Sequence, residues 1–126
     1  MEAAKNNLVL SFTQSEDIVD EIKKLMEAEK VDYVELLSAK GRVMDFTVLC
    51  SGQNAALTQM SFKEEFGVRA ISGKIEKANG RFVPNIYISL SKDGVGSFSG
   101  QLVKALAAEG LEIRLRKINL KKIIHG

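Results

Sequence analysis

Apolar and polar positions along this chain follow two periods, and the switch between them marks out its elements. Leu8, Val9, Leu10 and Phe12 fall in a short run over residues 7–13 that reads as a first strand. Thr13-Gln14-Ser15-Glu16 then matches a capping box, the Thr13 hydroxyl accepting from the Glu16 amide while the Glu16 carboxylate reaches back. Ile18, Val19, Ile22, Leu25 and Met26 follow at helical spacing, and Asp17, Asp20, Glu21, Lys23, Lys24 and Glu27 fill the other face. This predicts one amphipathic helix over roughly residues 15–29, packed on a sheet by one stripe.

From Tyr33 onward the pattern turns to strands. Tyr33 to Ser38 and Val43 to Cys50 read as neighbours across a Lys40-Gly41 turn, and Ser51-Gly52-Gln53-Asn54 carries turn chemistry. Leu57 to Phe62 reads as a short strand, followed by the charged turn Lys63-Glu64-Glu65. Gly67 to Lys77 and Arg81 to Leu90 flank Asn79-Gly80, a pair suited to a two-residue hairpin turn that needs positive φ at both positions. In the second arm Ile86, Ile88 and Leu90 face one way and Asn85, Tyr87 and Ser89 the other. Asp93-Gly94 is a further turn before Val95 to Ser99. Gln101 to Glu109 is ambiguous: Leu102, Val103, Leu106 and the alanines, closed by Gly110, suggest a short helix. Leu111, Ile113 and Leu115 alternate with Glu112, Arg114 and Arg116 in a last strand. The expected fold is α+β, a largely antiparallel mixed sheet packed by one main amphipathic helix.

Composition narrows the function. The chain has 126 residues, 45% apolar and 27% charged, with one proline, which fits a single domain over 1–126 with its core in about 8–118. A lone Cys50 excludes an internal disulfide and fits a reducing, cytoplasmic setting, where it reads as a buried, inert thiol. The N-terminus lacks the apolar core of a signal peptide, and no run approaches a membrane span. The net charge of +2 is small, but a basic C-terminal tail over 117–126 adjoins Arg114 and Arg116. Arg114, Arg116, Lys117, Lys121 and Lys122 are therefore the nucleic-acid candidates, against the plainer reading of a solvated face. The single histidine is His125, so no Ser-His-Asp or Cys-His set can be built, and zinc lacks ligands. Gly94, Gly96 and Gly100 do not form a phosphate loop, and Glu64-Glu65 reads as a solvated turn rather than a catalytic pair.

Three stretches carry a resemblance. Phe66-Gly67-Val68-Arg69-Ala70-Ile71-Ser72-Gly73 resembles the phenylalanine-to-glycine strand of the plants-and-prokaryotes conserved (PPC) domain family. Pro84-Asn85-Ile86-Tyr87-Ile88-Ser89-Leu90 resembles that family's P-H-L-H-x-S-L strand, and Ser99-Gly100-Gln101-Leu102 falls where it writes G-G-H-L. The resemblance covers about Leu8 to Ile118 and implies an α+β domain assembled as a homotrimer. In plants the family accompanies AT-hooks in DNA-binding proteins; the Arg-Gly-Arg-Pro hook is not present here.

The departures bear on chemistry. Many prokaryotic members hold what looks like a metal-binding set of histidines where this chain has Asn85, Tyr87 and Gln101. Amides and a phenol are poor zinc ligands, so no metal and no cofactor are expected. The plain reading of the three is a hydrogen-bonded polar patch at a subunit boundary; the sharper one is a ligand pocket that has lost its ion. The functions this leaves are a non-catalytic homotrimer that is DNA-associated or regulatory, and a small-molecule-binding or enzymatic trimer using the Asn85, Tyr87, Gln101 face. A third is an ion held by His125 copies on a three-fold axis. No membrane partner is expected.

Overall fold

The structure is a computed structural model that describes residues 6–51 and 57–118. Its elements are β1 (Asn7–Ser11), α1 (Ile18–Glu29), β2 (Tyr33–Lys40), β3 (Arg42–Ser51), β4 (Leu57–Phe62), β5 (Phe66–Ala78), β6 (Arg81–Lys92), β7 (Gly96–Ala107) and β8 (Glu112–Lys117). The strands join in the order β1-β8-β2-β5-β6-β7-β3-β4. Every pairing among them is antiparallel, which corrects the expectation of a mixed sheet.

One pairing bends this sheet. Arg42 and Val43 of β3 also face Gly67 and Phe66 of β5, so β5-β6-β7-β3 closes on itself. The closed part wraps an aromatic cluster. Phe66 meets Phe46 edge-on at 5.0 Å between ring centres, Phe62 at 4.9 Å and Phe98 at 5.8 Å. The helix contributes Ile18, Val19, Ile22 and Met26 to the same buried cluster, beside Val34, Ile75, Leu111, Ile113 and Leu115 of the sheet region. Ile86, Ile88 and Leu90 are buried as the alternation in β6 requires.

The helix starts later than the capping box implies. The Glu16 carbonyl accepts from the Ala107 amide at 2.8 Å and Asp17 bridges to Leu106, so residues 16–17 are held extended against β7. Asp17 is the cap instead, accepting from the Asp20 amide at 3.0 Å. An Asp17→Ala variant is expected to lose about 1 kcal/mol of stability, read as a shift of the urea midpoint.

Gln101 to Ala107 is strand, not helix. The helical look has a local cause. Thr47 pairs with Lys104 but its neighbour Val48 pairs with Leu102, which leaves Val103 as an extra bulged residue. The bulge shifts the phase, so Leu102 and Ala105, three apart, are both buried and imitate a helical period. The Asn79-Gly80 turn forms as expected, with φ of 53° and 78°. Gly52 to Asn54, Lys121, Lys122 and His125 lie outside the described residues.

Candidate functional site

The face of the sheet opposite the core is where the singled-out polar residues lie. Strand pairing sets a row across it: Ser72 of β5 faces Tyr87 of β6, Tyr87 faces Gln101 of β7, and Gln101 faces Leu49 of β3, which faces Gln59 of β4. A parallel row runs Arg116, Glu35, Lys74, Asn85 over β8, β2, β5 and β6. Asn85 and Tyr87 are two apart and therefore emerge on the same side.

Tyr87 and Gln101 line an open depression of about 480 Å³ with Leu49, Leu57, Ala70, Ile71, Ser72, Ile88, Ser89, Ser99 and Gly100. Among the described residues none that lines it is charged, although more than a quarter of the chain is charged. Ser89 and Ser99 share a hydroxyl hydrogen bond at 2.7 Å, while Tyr87 is 51% exposed and Leu57 64%. Asn85 is not part of this depression. It lines a smaller groove of about 220 Å³ with Tyr33, Glu35, Gly73, Lys74 and Tyr87. The structure thus joins Tyr87 to Gln101 and sets Asn85 one groove away, with Tyr87 common to both.

The smaller groove is polar. The Lys74 ammonium is 3.0 Å from Glu76 and lies 5.4 Å from the centre of the Tyr33 ring. The hydrogen bond and charge of Glu76 hold Lys74 above the ordinary lysine range, with Tyr33 adding to this. Sequence reasoning did not single out Tyr33, Glu35 or Lys74. Their signal lay only in the pairing of distant strands.

The donor set does not suit a metal. Asn85, Tyr87 and Gln101 offer amide and phenol groups, and among the described residues no three of His, Cys, Asp and Glu come together. Cys50 is half-buried rather than fully buried and faces Thr58 across β3 and β4. Glu64 and Glu65 are exposed and engage Lys92 at 3.5 Å and Arg42 at 2.9 Å, so they form surface ion pairs.

The basic residues of β8 have carboxylate partners. Arg116 is paired with Glu35, Lys117 with Glu29 at 3.0 Å, and Arg114 approaches Glu112 at 3.7 Å. Their positive charge is locally compensated. Among the described residues, no helix is long and apolar enough to cross a membrane.

The model of the Plants and Prokaryotes Conserved (PCC) domain, the family abbreviated PPC above, matches residues 1–119. A comparison with curated proteins gives no match. Among solved structures, a plant- and prokaryote-conserved protein from Pyrococcus horikoshii is 15% identical, with a TM-score of 0.76 over 90% of this chain and 78% of that one. A metal-containing protein from Archaeoglobus fulgidus is 20% identical, with a TM-score of 0.74 over 88% and 78%. A candidate DNA-binding protein from Bacteroides thetaiotaomicron is 15% identical, with a TM-score of 0.69 over 90% and 80%. These likenesses show a shared fold.

Proposed function

Since the chain belongs to the Plants and Prokaryotes Conserved (PCC) domain family, we propose that it is a non-catalytic homotrimer whose uncharged depression, lined by Tyr87 and Gln101, is a subunit contact. The observation that carries this is the charge-free lining of the 480 Å³ depression, with Tyr87 and Leu57 both more than half exposed. Cores of protein contacts are depleted in charge, as this lining is, and the exposed Tyr87 ring and the Leu57 side chain offer it apolar area to bury. The depression does hold the hydroxyls of Ser72, Ser89, Ser99 and Tyr87, but its described lining brings no histidine, carboxylate or lysine beside them to activate one, which weighs against a catalytic reading. Light scattering tests the assembly: three chains are expected, and substitution of Tyr87 by lysine separates them.

The small-molecule reading uses the same depression and predicts that it stays open in the assembled protein. Hydrogen exchange decides between the two. Protection of the Tyr87 and Gln101 strands that rises with protein concentration supports the subunit contact, whereas unchanged exchange leaves the depression to a ligand.

Association with DNA is a second reading, favoured by the described role of the Bacteroides thetaiotaomicron neighbour and by the exposed arginines of β8. The ion pairs on Arg116 and Lys117 oppose it, since phosphates would have to displace Glu35 and Glu29. Under this reading Glu35→Gln frees the Arg116 guanidinium. Duplex affinity at low salt then rises several-fold and the salt slope steepens by about one. Unchanged affinity in a salt titration removes β8 from the contact.

A further inference from the structure

The sheet has two terminal strands, β1 and β4, and they share an unusual composition. Asn7-Leu8-Val9-Leu10-Ser11 and Leu57-Thr58-Gln59-Met60-Ser61-Phe62 contain no charged residue and no proline. Open strand edges in soluble proteins are ordinarily blunted by such residues, because their free N–H and C=O groups invite another strand. This chain does blunt one edge. The stretch Arg81 to Ile86 of β6 lies outside the β6–β7 register, which begins at Tyr87, and it carries Arg81 and Pro84.

The direction of the free groups follows from the hydrogen bonds. The Asp45 amide donates to the Lys63 carbonyl at 3.1 Å, in step with the register Phe46↔Phe62 to Ser51↔Leu57. Pairs alternate between bonded and non-bonded, so Thr58 and Met60 turn their N–H and C=O groups away from β3. Likewise the Phe12 amide donates to the Leu111 carbonyl at 2.8 Å, in step with Asn7↔Arg116 to Ser11↔Glu112. Asn7, Val9 and Ser11 therefore turn theirs away from β8. Among the described residues no further strand pairs with these outward groups, so β1 and β4, the first and last strands of the order, each present an uncharged ladder.

We propose that β4 of one copy adds to β1 of the next copy, so that the assembly grows head to tail and closes into a ring. The inference rests on the self-association proposed above and names how it is built. Leu57 connects the two, because it begins β4 and also lines the uncharged depression. A pairing of β4 with β4 would stop at two copies and leave β1 open, whereas head-to-tail addition uses both edges of every copy. A heterologous contact of this kind is also what a three-fold ring requires.

Proline at an outward-facing position tests this, because it removes a donor from the open edge and none from the existing ladder. Thr58→Pro and Val9→Pro are each expected to reduce the light-scattering mass from three chains to a single 13.8 kDa chain while far-UV circular dichroism is retained. Val83→Lys, on the blunted part of β6, is expected to leave the mass unchanged. Hydrogen exchange of the unaltered protein gives a readout that does not depend on the variants folding. The Val9 and Thr58 amides should be protected at concentrations where the assembly forms and exchange quickly after dilution. A wild-type trimer with unprotected Val9 and Thr58 amides, or with folded proline variants that keep its mass, overturns strand addition and leaves the facial contact standing. A two-chain mass overturns the head-to-tail arrangement, and a single-chain wild type overturns both readings.

Discussion

Gly73→Ala is expected to destabilise the protein by about 3 kcal/mol or more. Two costs combine at this position. Gly73 has φ of 114°, a region that residues with a Cβ rarely enter, and an added Cβ would stand 2.2 Å from the Asn85 carbonyl oxygen and 2.9 Å from the Ile86 Cα. The colliding atoms are backbone on the paired strand β6, so no side-chain rotation relieves the clash. Strain of this kind costs about 1–3 kcal/mol, and overpacking against fixed neighbours about 1–3 kcal/mol more. Urea unfolding measures the sum. A midpoint within error of the unsubstituted protein would show that β6 can move away from β5 at Asn85 without cost.

Phe66→Ala is expected to cost about 3–5 kcal/mol, or roughly 10–20 °C in Tm. Phe66 is 1% exposed and sits where β3 joins β5, with Phe46, Phe62 and Phe98 around it. Its removal would leave a cavity among rings whose strands are held by their own hydrogen bonds and cannot close in on it. Phe66→Leu keeps most of the volume and is expected to cost much less. Calorimetry on the pair separates the two cases. Equal losses would mean that edge contacts between the rings, rather than filled volume, hold this corner.

Phe66 and Gly73 are also the two ends of one of the three stretches that resemble a PPC domain. The structure gives that motif a packing meaning: one end fills the closed part of the sheet and the other lets two strands approach. Gly100 in the third stretch behaves similarly, since a Cβ there would stand 2.2 Å from the Leu49 carbonyl oxygen. The residues that carried recognition are thus mostly residues that permit the fold.

What was legible followed from local chemistry. The Asn79-Gly80 turn and the inward set Ile86, Ile88, Leu90 needed only φ preferences and a period of two. Leu57–Phe62 was legible as a strand for the same reason. What was not legible depended on a partner far away in the chain. β7 imitated a helix because a bulge against β3 shifted its phase at Val103. The start of α1 moved to Ile18 because β7 holds Glu16 and Asp17 extended. Arg116 read as a nucleic-acid candidate or part of a solvated face, but Glu35, its partner, is 81 residues earlier and meets it only when β2 lies beside β8.

The candidate site was legible as a set of residue types and not as a geometry. Spacing placed Asn85 and Tyr87 on one face, and pairing then brought Gln101 beside Tyr87 while Asn85 joined Tyr33, Glu35 and Lys74. That the depression shared by Tyr87 and Gln101 has no charged residue in its described lining emerged only once β3, β5, β6 and β7 were side by side.

In the proposed homotrimer the uncharged depression is covered by another copy of the chain. Light scattering on the unaltered protein and on Tyr87→Lys tests it most directly. Tyr87 is half exposed, so lysine there is tolerated by a monomer and opposed by a dry contact. A mass of three chains is expected for the first and of one chain for the second. A single-chain mass for the unaltered protein, or three chains for Tyr87→Lys, would contradict it.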